Sequence, residues 1–369
     1  MKTKSLLLWL CLLFSSTIMA QVTDAPTRLL LPKPHQITEN GASFTLGRSV
    51  RIDDPSQSTL LASIFTTDQS ATATVTVELV SDEYLGTFDY PLPDFPNEGY
   101  KLDVKADAIS ITAASKTGVI RAAQTLMQLA AATGGTAIPG VSITDYPAFK
   151  LRGFMHDVGR SFISFDELKH EIDLLSRFKV NVFHWHLTDN QGFRFESKQY
   201  PQLNKASAMT RFEGQYYTQA QCTELEAYAA ERGITIIPEI DMPGHSTTFT
   251  NTMGYTMSST QGRAALKKLL TELAAAFPLA PYIHMGADEA GTTAEFVNEM
   301  SRYIKEPFNA SVLYANGGWC YASPLFLIGR ELFYAQLYSA QIAEHDTHAA
   351  DHHLPDPLWP CRGRARHRL

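Results

Sequence analysis

The first part of the chain alternates hydrophobic and polar residues with the period of a half-buried β-strand. This alternation is found at Val75–Leu79, Leu102–Val104 and Ile109–Ile111. The last two stretches flank the polar turn Ala106-Asp107, and they predict a hairpin. Apolar residues at helical spacing from Val119 to Leu126 then predict a helix that covers the sheet. Residues 21–148 are therefore expected to form a small α+β domain.

Glycine and proline residues after this helix predict the end of the first domain. We interpret Gly134-Gly135 and Pro139-Gly140 as a linker, because these pairs are typical of turns. Residues 21–148 bring no acids, bases or metal ligands together in sequence. The first domain is therefore interpreted as structural support.

From about residue 150 the pattern changes to apolar strands that alternate with helices. Strands are predicted at 151–158, 180–188, 234–242 and 282–287. A capping box at Ser164–Glu167 begins the first helix, and further helices are predicted at 224–232 and 263–277. Repeated βα units predict a parallel sheet covered by helices, and the pattern alone leaves a barrel and a doubly wound sheet open. A nucleotide-binding sheet is disfavoured, because no glycine-rich phosphate loop follows the first strand.

The first twenty residues have the features of a secretory leader. Lys2 and Lys4 precede the unbroken apolar run Leu6–Phe14, and Ala20 offers a small residue for cleavage. The run of nine apolar residues is shorter than the roughly 20 that a membrane helix needs. The protein is therefore expected to be exported and to be secreted or periplasmic, with no membrane span.

The acidic composition of the chain disfavours some classes of binding partner. The chain has 369 residues, room for two domains, and a net charge of −7 from 31 basic and 38 acidic residues. This acidic balance disfavours nucleic acid and anionic membranes as partners. Beyond the leader, Cys222, Cys320 and Cys361 are widely spaced and odd in number, so they are interpreted as isolated thiols.

Each predicted strand ends in a dense cluster of polar residues. These clusters are Met155–Arg160, His184–Asp189, Pro238–His245 and His284–Glu289. Active sites of parallel α/β folds gather at the carboxyl ends of strands, whereas ion pairs that merely tie the strand ends together are the structural alternative. Asp288 and Glu289 are adjacent acids, and two acids held close together are expected to have divergent pKa values, as general acid chemistry needs.

Four of these segments resemble glycoside hydrolase family 20, the β-N-acetylhexosaminidases. The matching segments are RGFMHDVGRSF (152–162), NVFHWHLTDNQGFRFE (181–196), PEIDMPGHS (238–246) and HMGADE (284–289). They occur in the family's order, and residues 99–130 resemble the domain that precedes its catalytic barrel. The resemblance implies an α/β fold with a (β/α)₈ TIM-barrel catalytic domain preceded by a small α+β domain. It also implies removal of terminal N-acetylglucosamine or N-acetylgalactosamine from glycans or chitooligosaccharides, without a cofactor or metal.

The resemblance also implies a substrate-assisted mechanism, to which this family is assigned among glycosidases. In the family, the acetamido oxygen of the substrate attacks the anomeric carbon, and the configuration is retained. Glu289 matches the acid that protonates the leaving oxygen and then activates water. Asp288 matches the residue that orients the acetamido group.

Further positions match residues that line the family's sugar pocket. Arg160, Asp189 and His245 match substrate-binding positions, although a salt bridge from Arg160 to Asp157 is the structural alternative. Supporting roles behind these residues are expected for Asp157, His186, Glu239 and Asp241. A charge network that joins Asp241, His245 and Glu289 would tune the pKa of the acid.

The chain departs from the family pattern at several places. Phe193 stands where the family often has Trp, and Ala287 stands where Gly is common. Only the first four βα units of the barrel can be recognised, at 149–305. Residues 306–369 form an atypical, unassigned tail. We interpret this tail as a shifted reading frame or a truncated gene. Its histidines, His345, His348, His352 and His353, are interpreted as part of a flexible tail rather than a metal site.

Two other functions stay open at this point. His184 and His186 lie two apart on one strand, a spacing used by metal-dependent barrel hydrolases, and Asp241, His245 or Asp288 could complete the ligands. An incomplete barrel could also be an inactive remnant that binds N-acetylated sugar weakly.

Overall fold

The structure is a computed structural model that describes residues 25–81, 97–149, 151–287, 292–308 and 311–313. The chain divides into two compact units, Met1–Ala148 and Phe149–Leu369. The predicted leader at 1–20 and the tail from residue 314 onward lie outside the described residues, as do Cys320, Cys361 and the four tail histidines. Of the helices that the structure describes, none has the length and apolar character needed to cross a membrane.

The described part of the first unit is a mixed sheet with helices. Its strands are β1 (Gln36–Thr45), β2 (Ser49–Asp53), β3 (Thr66–Thr67), β4 (Thr74–Leu79), β5 (Tyr100–Val104), β6 (Ala108–Ala113) and β7 (Ala137–Asp145). Its helices are α1 (Thr59–Ile64) and α2 (Lys116–Ala132), with a 3₁₀ turn at Pro26–Leu29. The strands lie in the order β1-β7-β5-β6-β4-β2-β3.

Helix α2 packs its apolar face on this sheet, as the spacing predicted. Val119 and Leu126 are fully buried in the core of the unit. The Ser115 hydroxyl caps the helix by accepting a hydrogen bond from the Gly118 amide, at 3.2 Å. The predicted strand at 74–79 and the hairpin formed by β5 and β6 are confirmed.

The predicted linker is only half correct. Gly134 and Gly135 do form the turn after α2, with φ angles of 68° and 76°. Pro139-Gly140, however, lies inside β7, which pairs with β1 beside a bulge between Glu39 and Ser43. A Cβ on Gly140 would lie 2.1 Å from the Asn40 side-chain oxygen, so this glycine allows close approach of the bulged strand.

The described part of the second unit contains a parallel sheet and its covering helices. Its strands are β8 (Gly153–Asp157), β9 (Val182–His186), β10 (Thr188–Asp189), β11 (Gly192–Phe193), β12 (Thr235–Glu239), β13 (Tyr282–His284) and β14 (Ser311–Leu313). Its helices are α3 (Phe165–Arg177), α4 (Gln219–Ala230), α5 (Thr247–Met253), α6 (Thr260–Ala276) and α7 (Ala294–Phe308). Two 3₁₀ turns lie at Pro201–Asn204 and Ala206–Ala208.

Strand order distinguishes the two parallel folds that the pattern left open. Five strands pair in parallel in the order β8-β9-β12-β13-β14, which is their order along the chain. A doubly wound sheet reverses direction at a switch point, whereas a (β/α)₈ barrel adds each strand beside the preceding one. The described strands therefore form part of a barrel. Its core includes Ile172 from α3, Trp185 from β9 and Leu269 from α6.

Local signals place some helices of this unit: α3 and α6 are confirmed, whereas α4 begins five residues before the predicted start at 224, and α5 and α7 were not predicted. The capping box at Ser164 and Glu167 is present at the start of α3, and a second box at Thr218 and Gln221 begins α4. The predicted strand at 180–188 is interrupted, because the chain leaves β9 and forms the short hairpin of β10 and β11.

The strand–helix alternation extends beyond the boundary predicted at residue 305. Helix α7 continues to Phe308, and β14 then adds a fifth strand beside β13. The tail was therefore predicted to begin too early. A three-residue strand is too short to give a periodic signal.

Candidate active site

The carboxyl end of β8 presents Asp157 and Arg160 on a tight turn. The amides of Val158 and Gly159 both donate to the carbonyl of His186, at 3.2 and 3.3 Å. A Cβ on Gly159 would lie 2.8 Å from the backbone nitrogen of Asp189, so only glycine allows the two strand ends to approach this closely.

Asp189 is the centre of the cluster that these strand ends form. Its side chain is fully buried, and its Oδ2 atom lies 2.9 Å from Arg160 Nη2, 3.2 Å from His186 Nε2 and 3.4 Å from His245 Nδ1. Three side chains from three strand ends therefore meet at one carboxylate oxygen. Burial opposes ionisation of Asp189, but the hydrogen bonds from His186 and from the Asn190 amide hold its pKa below the usual value.

Arg160 joins two carboxylates rather than one. Its Nη1 atom donates to Asp157 Oδ2 at 2.7 Å, and its backbone amide donates to Asp157 Oδ1 at 2.9 Å. The same guanidinium reaches Asp189, and its Nη2 lies 3.1 Å from His245 Nδ1. The predicted salt bridge to Asp157 is therefore present together with the contacts that build the cluster. The Arg160 side chain is 44% exposed, the most open of these groups.

A second buried carboxylate, Glu239 at the end of β12, is surrounded by three imidazoles. Its oxygens lie 2.7 Å from His186 Nδ1, 2.7 Å from His184 Nε2 and 2.9 Å from His284 Nδ1. Burial would raise the pKa of Glu239, but the three histidines hold it well below the usual value. His186 therefore bridges the two carboxylates of the site, Glu239 and Asp189.

His186 and His184 have opposite protonation behaviour. Burial disfavours the charged form of His186, but Glu239 and the hydrogen bond to Asp189 raise its pKa to about 11. Burial, together with the neighbouring His284, lowers the pKa of His184. Near neutral pH the surroundings therefore favour the protonated form of His186 and the neutral form of His184.

The turn after β13 brings Asp241 against the chain just before the predicted acid pair. A Cβ on Gly286 would lie 1.8 Å from Asp241 Oδ1, and the Met242 amide donates to the Met285 carbonyl at 3.0 Å. Gly286 and Ala287 have φ angles of 64° and 76°, so the strand ends in a left-handed turn. Asp288 and Glu289, the predicted catalytic pair, lie outside the described residues.

The metal alternative can be tested on these distances. His184 and His186 both contact the carboxylate of Glu239, and the ligand atoms of His186, Glu239 and Asp241 lie within 4.8 Å of one another, whereas Asp288 lies outside the described residues. Neighbouring ligand atoms on a tetrahedral zinc ion are about 3.3 Å apart when the bonds measure about 2.0–2.1 Å. The observed separation of 2.7 Å is instead that of a direct imidazole–carboxylate contact. In this structure the two imidazoles therefore contact the carboxylate directly.

The structure connects most of the predicted site residues. One continuous cluster contains Asp157, Arg160, His186, Asp189, Glu239 and His245. Asp241 lies beside Gly286, and the backbone amide of Asp241 donates to the hydroxyl of Thr188 at 3.1 Å. His284 was not predicted as a site residue. The signal that could have identified it is a histidine at the end of a short apolar strand.

Comparison with known proteins identifies the family to which the chain is similar. Residues 149–265 match the catalytic domain of glycosyl hydrolase family 20, and residues 27–146 match domain 2 of that family. The chain is 37% identical over 239 residues to a beta-hexosaminidase of Porphyromonas gingivalis. It is 34% identical over 313 residues to a beta-hexosaminidase of Vibrio furnissii. These alignments cover 59% and 72% of this chain but only 30% and 49% of the relatives, so the chain spans half or less of their length.

Solved structures give the same result. The beta-N-acetylhexosaminidase of Bacteroides fragilis has a TM-score of 0.66 and 27% identity, over 78% of this chain and 66% of that one. The exo-beta-N-acetylglucosaminidase of Vibrio harveyi, solved in complex with N-acetylglucosamine, has a TM-score of 0.64 and 27% identity, over 78% of this chain and 55% of that one.

Proposed function

Because the chain belongs to glycosyl hydrolase family 20, we propose that it carries the sugar-binding side of a retaining exo-β-N-acetylhexosaminidase. Such an enzyme removes terminal N-acetyl-β-D-glucosamine or N-acetyl-β-D-galactosamine from glycans or chitooligosaccharides. The complete catalytic domain is proposed to be a (β/α)₈ barrel that begins with the five parallel strands described above. We also propose that the protein is exported, as the leader sequence predicts.

The observation that carries this proposal is the cluster around Asp189. A fully buried carboxylate holds a guanidinium that is 44% exposed, at the carboxyl ends of neighbouring parallel strands. The planar, multi-donor guanidinium of Arg160 suits the paired hydroxyl groups of a sugar. Side chains that bind ligand are most effective when buried partners fix their position, and Asp157 and Asp189 provide those partners.

The chemistry is proposed to take place at the end of β13. The acetamido oxygen of the substrate attacks the anomeric carbon while Glu289 donates a proton to the departing oxygen, which breaks the glycosidic bond. Asp288 orients the acetamido group and stabilises the positive charge that develops on it. Glu289 then removes a proton from water, which opens the cyclic intermediate with retention of configuration.

Two described features support this location. The left-handed turn at Gly286 and Ala287 redirects the chain where the acid pair follows in sequence. The neighbouring His284 contacts Glu239, the carboxylate that also contacts His186. A connected set of side chains therefore extends from Arg160 to the strand that precedes the pair. The N-acetylglucosamine bound by the Vibrio harveyi relative supports the same ligand class for this chain.

A pair of substrates that differ only at the 2-position tests this function. Purified protein is assayed for nitrophenol release from nitrophenyl N-acetyl-β-D-glucosaminide and from nitrophenyl β-D-glucoside. We expect hydrolysis of the first and none of the second, because the glucoside lacks the acetamido nucleophile. Asp288→Asn is expected to lower kcat, whereas Arg160→Lys is expected chiefly to raise KM.

The outcomes separate the alternatives. Equal hydrolysis of both substrates would contradict substrate assistance. Binding of N-acetylglucosamine by a folded protein without any hydrolysis would favour the sugar-binding remnant. Loss of activity on addition of a chelator, with zinc present in the purified protein, would instead favour the metal-dependent hydrolase.

A further inference from the structure

Arg194 is a buried charge that the proposed chemistry does not use. It directly follows β11, and its side chain is 0% exposed. Among the described residues, no carboxylate lies within ion-pair distance of its guanidinium, whose hydrogen-bond acceptors are backbone carbonyls and a sulfur atom. These acceptors are Val158 O (3.2 Å), Gly159 O (3.2 Å), Arg211 O (2.7 Å), Phe212 O (3.0 Å), Gln215 O (3.0 Å) and Met209 Sδ (2.9 Å).

These acceptors belong to two separate segments of the chain. Val158 and Gly159 form the turn that presents Arg160, and the others lie in the loop 209–215. The amides of the turn donate to the carbonyl of His186, while its carbonyls accept from Arg194. The turn is therefore held from both sides, and Arg194 donates to both of its carbonyls on the second side.

The neighbouring sequence is adapted to this guanidinium. A Cβ on Gly192 would lie 2.2 Å from Arg194 Cζ, so the bend of the β10–β11 hairpin leaves room that only glycine provides. The main chain of Arg194 is also held, because its amide donates to the Leu187 carbonyl at 2.9 Å and its carbonyl accepts from the Tyr217 amide at 2.7 Å. The guanidinium thus points from a fixed backbone position.

Burying an arginine that forms no direct ion pair among the described residues is costly, because desolvation of a charge disfavours the folded state, and the charge of Asp157 opposes this only in part. Burial also lowers the pKa of Arg194 to about 10. The loop it holds contains Phe212 at a φ of 48°, an unfavourable conformation for a bulky residue. The buried charge of Arg194 and the strained backbone of Phe212 both oppose folding. Their presence together indicates that the position of the segments bonded to Arg194 matters for function.

We propose that Arg194 is a positioning residue for sugar binding, because it fixes the Val158–Gly159 turn and so sets the place of Arg160. The ligand named here, a terminal N-acetylhexosamine, rests on the proposed function. Lysine cannot replace this arginine, since a single ammonium cannot reach carbonyls spread over two segments in the way a planar guanidinium does.

A double-mutant cycle tests whether Arg194 acts through Arg160. The affinity for N-acetylglucosamine is measured by titration calorimetry for the unmodified protein, Arg160→Lys, Arg194→Lys and the double variant, each shown to be folded by circular dichroism. We expect Arg194→Lys to weaken binding about tenfold, the equivalent of about 1.4 kcal/mol. In the Arg160→Lys background the same change is expected to have little further effect.

Arg121→Lys is the matched control. Arg121 is a second buried arginine, 1% exposed, that donates to Glu98 at 3.0 Å in the first unit. Arg121 belongs to the first unit and the Asp189 cluster to the second, so we expect lower stability and unchanged affinity. An unchanged affinity in Arg194→Lys, or an equal loss in both backgrounds, would overturn the proposal.

Hydrogen exchange tests the positioning role of Arg194 without requiring that the protein binds sugar. If the unmodified protein binds no N-acetylglucosamine, the proposed function fails for this chain. The hydrogen-exchange rate of the Arg160 amide then tests whether Arg194 fixes the turn that presents Arg160. That amide bonds to Asp157 Oδ1, so we expect faster exchange in Arg194→Lys than in Arg121→Lys. Equal rates would overturn the proposal. If Arg194→Lys does not fold, residues 157–160 and 209–215 of the unmodified protein are expected to open as one unit, and independent opening would contradict the proposal.

Discussion

His186 provides the most quantitative prediction of this structure. Its two ring nitrogens face two carboxylates, with Nδ1 2.7 Å from Glu239 and Nε2 3.2 Å from Asp189. Only the imidazolium form can donate from both nitrogens. The folded protein should therefore keep this ring protonated at a pH where an exposed histidine is neutral.

The size of the effect follows from linkage. The pKa of His186 is raised from 6.5 to about 11 in the folded state. Because the folded value lies above the unfolded one, the stabilisation is complete below the unfolded pKa and is lost as the pH rises towards the folded pKa. Over the interval from about pH 7 to about pH 9 the loss is about 2–3 kcal/mol, since each pH unit well above the unfolded pKa contributes about 1.4 kcal/mol.

The assay compares urea unfolding of the unmodified protein and His186→Gln at the two pH values. Both proteins carry phenylalanine at positions 9, 319 and 359, so that the buried Trp185 alone reports fluorescence. We expect the stability difference between the two proteins to shrink by about 2–3 kcal/mol between the lower and the higher pH. His170→Gln, at an exposed position on α3, is the control. A difference that does not change with pH would refute the imidazolium at His186.

Three further changes follow from other contacts. Burial raises the pKa of Glu226 from 4.5 to about 7, so this group destabilises the fold increasingly as the pH rises from about 4.5 to about 7. By differential scanning calorimetry, Glu226→Gln should therefore raise the melting temperature by about 5 °C at pH 8 and by little at pH 5. Ala287 has a φ of 76°, so Ala287→Gly should raise the free energy of unfolding by about 0.5 kcal/mol in urea titrations, and a loss would contradict the left-handed turn. Gly159→Ala would place a Cβ 2.8 Å from the Asp189 nitrogen, and we expect a loss of about 1–3 kcal/mol in the same titration, whereas an unchanged midpoint would show that the strand ends are farther apart.

The strand ends could be predicted from sequence because the relevant signals are local. Apolar runs define the parallel strands, and the polar residues that follow each run must then meet at one edge of the sheet. Asp157, Arg160, Asp189 and His245 were found in this way, with the family resemblance supplying the expected roles. Which carboxylate forms the centre could not be predicted, since the meeting of three side chains at Asp189 depends on distances between strands.

Other features depend on partners that leave no mark in the sequence nearby. His284 contacts Glu239, which lies on a different strand 45 positions earlier. Arg194 is held by backbone carbonyls, which every residue type possesses. Pro139-Gly140 reads as a turn, yet the bulge in β1 explains its glycine. In each case the missing information is a tertiary contact rather than a local preference.

The most direct test of the central claim is nitrophenol release from nitrophenyl N-acetyl-β-D-glucosaminide, measured side by side for the unmodified chain and Glu289→Gln. We expect hydrolysis by the unmodified chain and a loss of at least about 100-fold in the variant, the contribution typical of a general acid. Equal activity in the two proteins would contradict the assignment of Glu289 as the acid. Absence of activity in both, with cooperative folding, would contradict catalysis by this chain.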